Sequence, residues 1–170
     1  MRRITVTLII AILMISTPAL AQRRDPDAPA KAARQFILSL VQSQFDRSWH
    51  GVTGESQKKI ARMTINRFED LDGAVYTLES MMHLLLTNSH GHRTVMFEDM
   101  TRSWCQEWGI EVKDLEKVKV EVVKGNPDNA VVRLSLGDKS TILEMVNPDD
   151  WRENWKAIWH PPIDREILFH

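Results

Sequence analysis

Three polar side chains in the middle of the chain have the types that acid–base chemistry uses. Tyr76, Glu79 and His83 stand at positions i, i+3 and i+7, which places them on one side of a helix. A carboxylate beside a histidine can orient the imidazole and raise its basicity, as proton transfer in a cleft requires. The polar edge of any amphipathic helix has the same spacing. We therefore take these residues as the catalytic candidates, with a solvated helix edge as the alternative.

Tryptophans near the C-terminus form a candidate binding site. Trp151, Trp155 and Trp159 recur at every fourth position, a spacing that puts them on one face of a strand. One hypothesis is an aromatic wall that binds a lipid, a glycan or another apolar ligand. The alternative is that the large rings fill the space between helices and a sheet.

Methionines add a further candidate for ligand binding. Met82 follows Met81 directly, and Met96 and Met100 lie one predicted helix further along. Flexible thioether side chains make adaptable apolar surfaces that accept ligands of different shapes. Met82 is therefore a ligand-binding candidate, and burial of these methionines in the core is the alternative.

The histidines do not predict a metal site. His90 and His92 are the one close pair in the sequence, whereas zinc sites use three or four N, S or O ligands. Glu98 and Asp99 are the nearest other ligand types along the chain. The motifs of nucleophile elbows, zinc proteases, phosphate-binding loops and dinucleotide-binding turns are absent. We predict neither a metal nor a cofactor, and we expect both histidines to be solvated turn residues.

The first 21 residues have the features of a secretory signal peptide. Two arginines precede an apolar run over 4–17, and Ala19 and Ala21 supply the small side chains of a cleavage site. The run is shorter than the ~20 residues that span a bilayer. No cysteine stands directly after this run, where a lipoprotein would carry its lipid anchor, and this argues against such an anchor. We predict a signal peptide at 1–21, export to the periplasm or the extracellular space, and no membrane span after cleavage.

The composition of the remaining chain narrows the classes of function. Without residues 1–21 the basic residues fall from 22 to 20 against 23 acidic residues, a net charge of about −3. A weakly acidic chain without a basic block lacks the positive field that nucleic-acid binding needs. We expect a flexible leader at 22–28, a single domain at 29–162 and a tail at 163–170. The single cysteine, Cys105, is expected to be a buried apolar residue, with an intermolecular disulfide as the alternative.

Apolar residues at helical spacing predict that the N-terminal half is helical. The expected helices cover 30–45, 53–63, 65–87 and 94–108, with a break at 46–51. In the long third helix, Val75 and Met82 are expected to face inward. Asp27 is the expected N-cap of the first helix, with Pro29 in its first turn, and Gly109 is the expected stop of the last helix.

The apolar period changes from 3.6 to 2 after Glu111. Val118, Val120 and Val122 alternate with charged residues, which predicts a half-buried strand. Alternating segments follow at 130–136, 141–146 and 154–160, separated by turns rich in Gly, Asn, Asp and Pro. Helices followed by an antiparallel meander predict an α+β fold. In it, N-terminal helices pack on one face of a C-terminal antiparallel sheet of three to four strands.

Two helices, a tryptophan and a terminal strand make a pattern that extends over much of the chain. The first helix has the form Ala32-Ala33-x-x-Phe36-Ile37-x-x-Leu40, Trp49 follows it, a second helix covers 53–60, and the last strand covers 154–158. This pattern, over 30–62 and 116–160, resembles the NTF2-like superfamily of cystatin-like α+β proteins, in particular its small secreted bacterial members. The resemblance implies a curved sheet that wraps a long helix into a conical pocket. An extra helix within 65–109 would fill that pocket and leave the cone incomplete.

The resemblance and the absent motifs together leave three functions open. The first is a secreted, non-enzymatic NTF2-like domain that binds a partner protein or a small apolar ligand in the cell envelope. The second is a pocket enzyme of the isomerase, dehydratase or hydrolase type, as the superfamily also includes, which would use Glu79 and His83. The third is a homodimerisation module joined through the open face of the sheet, with Cys105 as a cross-link between two copies.

Overall fold

A computed structural model describes residues 25–72, 75–149 and 153–161, with the backbone alone at 69–72. Within these residues, five α-helices precede four strands: α1 (Ala28–Val41), α2 (Phe45–Gly51), α3 (Gly54–Asp72), α4 (Leu78–Thr87), α5 (His92–Trp108), β1 (Lys119–Gly125), β2 (Asn129–Leu136), β3 (Lys139–Val146) and β4 (Lys156–Ile158). Short 3-10 helices at Ser89–Gly91 and Val112–Lys117 flank α5. The α+β prediction is confirmed. The predicted signal peptide at 1–21 and the tail at 163–170 lie outside the described residues.

The first helix follows closely from its sequence. Asp27 precedes α1 and Pro29 lies in its first turn, as predicted, although the Asp27 side chain makes no capping hydrogen bond. The helix begins at Ala28, directly after Asp27 as this N-cap predicts, and ends at Val41 rather than Phe45. Its apolar stripe is buried, as helical periodicity requires.

The predicted break at 46–51 is wrong, because α2 occupies Phe45–Gly51. Phe45 and Trp49, one helical turn apart, are both buried. Their ring centroids lie 5.8 and 6.4 Å from that of Phe97 in α5. A helix of seven residues is too short to be stable in water by itself. Packing of these two rings against α5 therefore stabilises α2.

The predicted helix over 65–87 is also wrong, since α3 ends at Asp72 and α4 begins at Leu78. Thr77 is the N-cap of α4: its hydroxyl accepts from the Ser80 N–H at 3.1 Å, and the Ser80 hydroxyl accepts from the Thr77 N–H at 3.0 Å. This capping box satisfies backbone groups that a continuous helix would pair internally. Val75, expected to face inward, is 92% exposed in the interruption.

Helix α5 lies across the core with most of its apolar side chains buried. It begins at His92 rather than Thr94 and ends at Trp108, and Gly109 follows as a left-handed C-cap with φ +73°, so the predicted stop is confirmed. Phe97, Met100, Trp104 and Trp108 are buried, as expected. The Lys139 ammonium, on β3, donates to the Gly109 carbonyl. A cation at a helix C-terminus is favourable, and this one joins α5 to the sheet.

The four strands form one antiparallel sheet in the order β1-β2-β3-β4. The inner face carries buried apolar side chains from the two central strands, at Ala130, Val132, Leu134, Leu143 and Met145. The outer face carries Arg133, Glu144 and Ile142, the last of them 64% exposed. This alternation is the pattern expected of a sheet covered on one face.

Strand β4 joins the sheet to the helices. Val52, between α2 and α3, forms a parallel bridge with Ala157, and the Thr53 N–H donates to the Ala157 carbonyl at 3.0 Å. The Trp159 N–H donates to the buried Ser56 hydroxyl at 3.1 Å. The helical half therefore contributes directly to the hydrogen bonding of the last strand.

The core lies between the helices and the inner face of the sheet, with Trp159 near its centre. The centroid of a ring of Trp159 is 5.3 Å from that of Phe36 in α1 and 5.5 and 5.9 Å from those of Phe97 and Trp104 in α5. Aromatic pairs at these distances stabilise beyond the area they bury. Among the described residues, no helix combines the length and the apolar character that a membrane span needs.

Candidate functional site

A groove runs along the outer side of α1. It consists of two adjoining hollows of about 610 and 280 Å³, which share Ala32, Gln35 and Trp155. Helix α1 contributes one stripe of residues spaced three or four apart: Ala28, Ala32, Gln35, Ser39 and, at its C-terminal end, Gln42. At 1.5 Å per residue this stripe is about 21 Å long. We call the two hollows together the Trp155 groove.

The close approach of α1 and α2 forms one side of the Trp155 groove. The hydroxyl oxygens of Ser39 and Ser48, both buried, lie 2.7 Å apart, and the Ser39 hydroxyl donates to the Phe36 carbonyl at 2.6 Å. Gly51 packs on the Phe36 ring so closely that a Cβ there would lie 3.1 Å from Phe36 Cδ2. Small residues at these positions therefore set the distance between the two helices.

Two glutamine side chains present peptide-like groups at the α2 end of the groove. Gln44 Nε2 donates to Gln42 Oε1 at 3.0 Å. Gln44 Oε1 is buried, and no group among the described residues donates to it. An unpaired buried acceptor costs about 1–3 kcal/mol. Gln42 Nε2, on an exposed side chain, thus remains a donor for the C=O of a peptide group, whereas the buried Gln44 Oε1 presents no surface to a ligand.

The same end of the groove carries charged side chains. Asp46 Oδ1 lies 3.3 Å from Nη1 of Arg93, whose side chain is 9% exposed, and 3.9 Å from His50 Nε2. Arg93 also donates to the carbonyls of Leu85 and Leu86 at the end of α4, at 3.1 and 2.8 Å. The exposed Arg47 side chain has no ion-pair partner within the described part of the chain.

The opposite end of the groove is formed by Asp25, Lys31 and Glu153. The Lys31 ammonium donates to the Asp25 carboxylate, which lowers the pKa of Asp25 and raises the pKa of Lys31. Glu153 Oε1 accepts from the Asp25 N–H at 2.7 Å. Among the described residues that line this end, two side chains are acidic and one is basic.

Trp155 lies where the two hollows meet. It is half-buried, packs against the core on one side and lines both hollows. Trp159, four residues on, is 3% exposed and belongs to the core, and Trp151 lies outside the described residues. The predicted wall of tryptophans thus has one described member at a surface groove, Trp155, and one in the interior.

Met82 is half-buried and packs against the core. Met81, Met96 and Met100 have no exposed surface, so they do not form an adaptable binding surface. In α4, Met81 rather than Met82 is the fully buried member of the pair. Neither hollow of the Trp155 groove is lined by Met82.

The catalytic candidates are not brought together in a cleft. Glu79 and His83 are both exposed, and neither lines the Trp155 groove. Tyr76 precedes α4 in the interruption after α3, so helical spacing does not place it on the same face. It is half-buried, with its ring centroid 6.3 Å from that of His92. The exposed pair at 79 and 83 matches the alternative of a solvated helix edge.

The two close histidines have different surroundings. His90 is exposed in the turn, as expected, whereas His92 is 7% exposed and is not a solvated turn residue. Its ring centroid lies 4.4 Å from that of Phe68 in α3, and its Nδ1 lies 2.7 Å from the Ser89 carbonyl. The described residues hold no group of three or more His, Cys, Asp or Glu side chains that could bind a metal ion.

Cys105 is buried in α5. Burial raises the pKa of its thiol to about 12. A buried, protonated thiol is a poor nucleophile. The expectation of a buried apolar residue is therefore confirmed, and this thiol is not available at the surface for a cross-link.

Sequence reasoning missed Gln35, Gln42, Gln44 and Arg47 as site residues. Only the helical spacing of Gln35 and Gln42 with Ala32 and Ser39 was available as a signal, and it gives no reason to choose this face of α1 over another. Comparison with family models, with curated proteins and with solved structures finds no match for this chain.

Proposed function

We propose that this protein is an exported, non-enzymatic binding domain whose Trp155 groove holds an extended segment of a partner protein. The observation that carries the proposal is the position of Trp155 at the junction of two hollows along one continuous stripe of α1. The proposal includes that this domain is NTF2-like. The order of helices followed by an antiparallel meander supports that part of it.

The length of the groove fits an extended peptide. An extended chain rises about 3.3 Å per residue. About six residues would therefore cover the ~21 Å from Ala28 to Gln42 that helix geometry gives. Trp155 lies half-buried at the middle of the groove. A tryptophan in such a position is the kind of residue that contributes most to binding at interfaces.

The polar rim favours a peptide over a small apolar ligand. Sites for small apolar ligands are mostly enclosed and apolar, with few polar groups. The Trp155 groove is open along its length and is lined by Gln35, Gln42 and Gln44. The exposed amides of Gln35 and Gln42 can donate and accept, as is needed to pair with successive peptide groups.

Selection from a library of random 12-residue peptides displayed on phage, against the purified immobilised protein, tests the proposal. We expect enriched peptides that bind the Trp155→Ala variant at least about 30-fold more weakly, since truncating a central interface tryptophan costs about 2 kcal/mol or more. Ile142→Ala, on the outer face of the sheet, is the matched control and should bind as the native protein does.

The Trp155→Phe variant separates lost contact from lost fold, because it keeps an aromatic ring against the core. It should bind with intermediate affinity and unfold near the native temperature. Peptides that bind the Trp155→Ala variant as tightly as the native protein would overturn the proposal. So would a failure to enrich any peptide, or Trp155-dependent binding of neutral oligosaccharides in place of peptides.

A further inference from the structure

The two ends of the Trp155 groove carry opposite net charge. At the end formed by Asp25, Lys31 and Glu153, the Asp25 carboxylate accepts from the Lys31 ammonium, and Glu153 Oε1 accepts from the Asp25 N–H. Among the described residues that line this end, the carboxylates therefore exceed the ammonium by one negative charge.

At the α2 end the balance is reversed. The carboxylate of Asp46, whose side chain is 69% exposed, lies 3.3 Å from the guanidinium of the buried Arg93. That pair is neutral as a unit. Arg47, exposed on the same rim and without an ion-pair partner in the described residues, adds one positive charge.

An uncharged section separates the two charged ends. Ala32, Gln35 and Trp155, which line both hollows, lie between them, and the exposed Gln35 amide is the polar member of this set. A ligand that crosses this section must carry its own charges at its ends and an apolar group at its middle, because a charge placed there would lose hydration without a partner.

We infer that the bound segment has a basic residue at one end and an acidic residue about five positions away, in one fixed chain direction, with an apolar side chain between them on Trp155. The spacing follows from about 3.3 Å per extended residue over a groove of about 21 Å. The basic residue meets Asp25 and Glu153, and the acidic residue meets Arg47. This inference rests on the proposed function, and it adds the chemistry and direction of the ligand.

Charge-exchanged peptides test the inference. The tightest selected peptide is compared with a peptide of identical composition in which its basic and acidic residues have changed places. We expect the exchanged peptide to bind about fivefold more weakly at low salt, the size of effect that two exposed ion pairs produce. The difference should shrink toward zero in 0.5 M salt, because exposed charges are then screened.

A charge reversal on the protein gives the complementary result. Arg47→Glu should weaken the original peptide and strengthen the charge-exchanged one. Arg133→Glu, an exposed reversal on the outer sheet face, is the control and should change neither.

The outcomes separate this inference from the function it rests on. Peptides that need Trp155 but bind equally well in both charge arrangements would leave the groove as a peptide site and overturn the inference about its ligand. A response of both peptides to Arg47→Glu in the same direction would overturn it too. If no peptide depends on Trp155, both proposals fall together.

Discussion

Replacing Ser48 with valine tests the contact that sets the spacing of α1 and α2. Ser48 has no exposed surface, and its hydroxyl oxygen is 2.7 Å from that of Ser39. Valine removes this hydrogen bond, which contributes about 1 kcal/mol. It also forces a larger side chain into a filled space, which costs about 1–3 kcal/mol. We therefore expect the free energy of unfolding to fall by about 2–4 kcal/mol.

The Ser48→Ala variant isolates the hydrogen bond. It adds no volume, and the Ser39 hydroxyl still donates to the Phe36 carbonyl at 2.6 Å. Its loss should therefore be about 1 kcal/mol. Ser140→Val, at an exposed position of β3, is the matched control and should change stability by less than about 0.5 kcal/mol.

Urea unfolding followed by tryptophan fluorescence measures all three variants. We also expect Ser48→Val to weaken binding of a selected peptide, because the larger side chain pushes α2 away from α1 and changes the width of the groove. A Ser48→Val protein as stable as the Ser48→Ala protein would refute the reasoning, since the helices would then have room for two more methyl groups.

Two further predictions concern single titratable groups. Because burial raises the pKa of the Cys105 thiol to about 12, a thiol reagent at pH 8 should leave the folded protein unmodified and react once urea unfolds it; rapid reaction without denaturant would contradict this. Burial, with a smaller effect of Lys59, lowers the pKa of His160 below its ordinary 6.5, so in acid the unfolded chain binds a proton that the folded chain does not. The stability that neutral His160 contributes above pH 6.5 is then lost as the pH falls through the folded pKa. The melting temperature should therefore fall less steeply with decreasing pH for His160→Gln than for the native protein. Parallel curves of melting temperature against pH for the two proteins would contradict the assignment.

The sheet could be predicted because its signal is local. Alternation in β2 and β3 shows the buried face directly, and each turn between strands has its own composition. The register, with Val132 opposite Leu143, follows once the short hairpin at Gly137 is placed. The local signal left the order of the strands open, and the structure shows that neighbours in the chain are also neighbours in the sheet.

The helices were harder because their limits depend on contacts far away in sequence. Phe45 and Trp49 are at helical spacing, yet α2 forms only where Phe97 packs against them. In the predicted helix over 65–87 the apolar period continues across an interruption. The decisive signal there was the capping box of Thr77 and Ser80, which periodicity does not detect.

The candidate site could be predicted only by residue type. Trp155 stood out as a large ring, but nothing local separated it from Trp159, and only the packing of α1 shows which of the two faces the groove. The groove itself depends on the approach of two helices at Ser39, Ser48 and Gly51. Small residues of this kind are too common to identify a helix crossing from sequence.

β4 is the last described strand to be synthesised, so its contacts with the helices form late. The described helices and the first three strands are synthesised before residues 156–158, yet Val52 pairs with Ala157 of that last strand and Ser56 accepts from the N–H of Trp159, the residue after it. Trp159, against which Phe36 packs, also arrives at this point. A chain that has been synthesised through β3 but not yet through Trp159 therefore still lacks the ring on which apolar side chains of α1 and α5 pack.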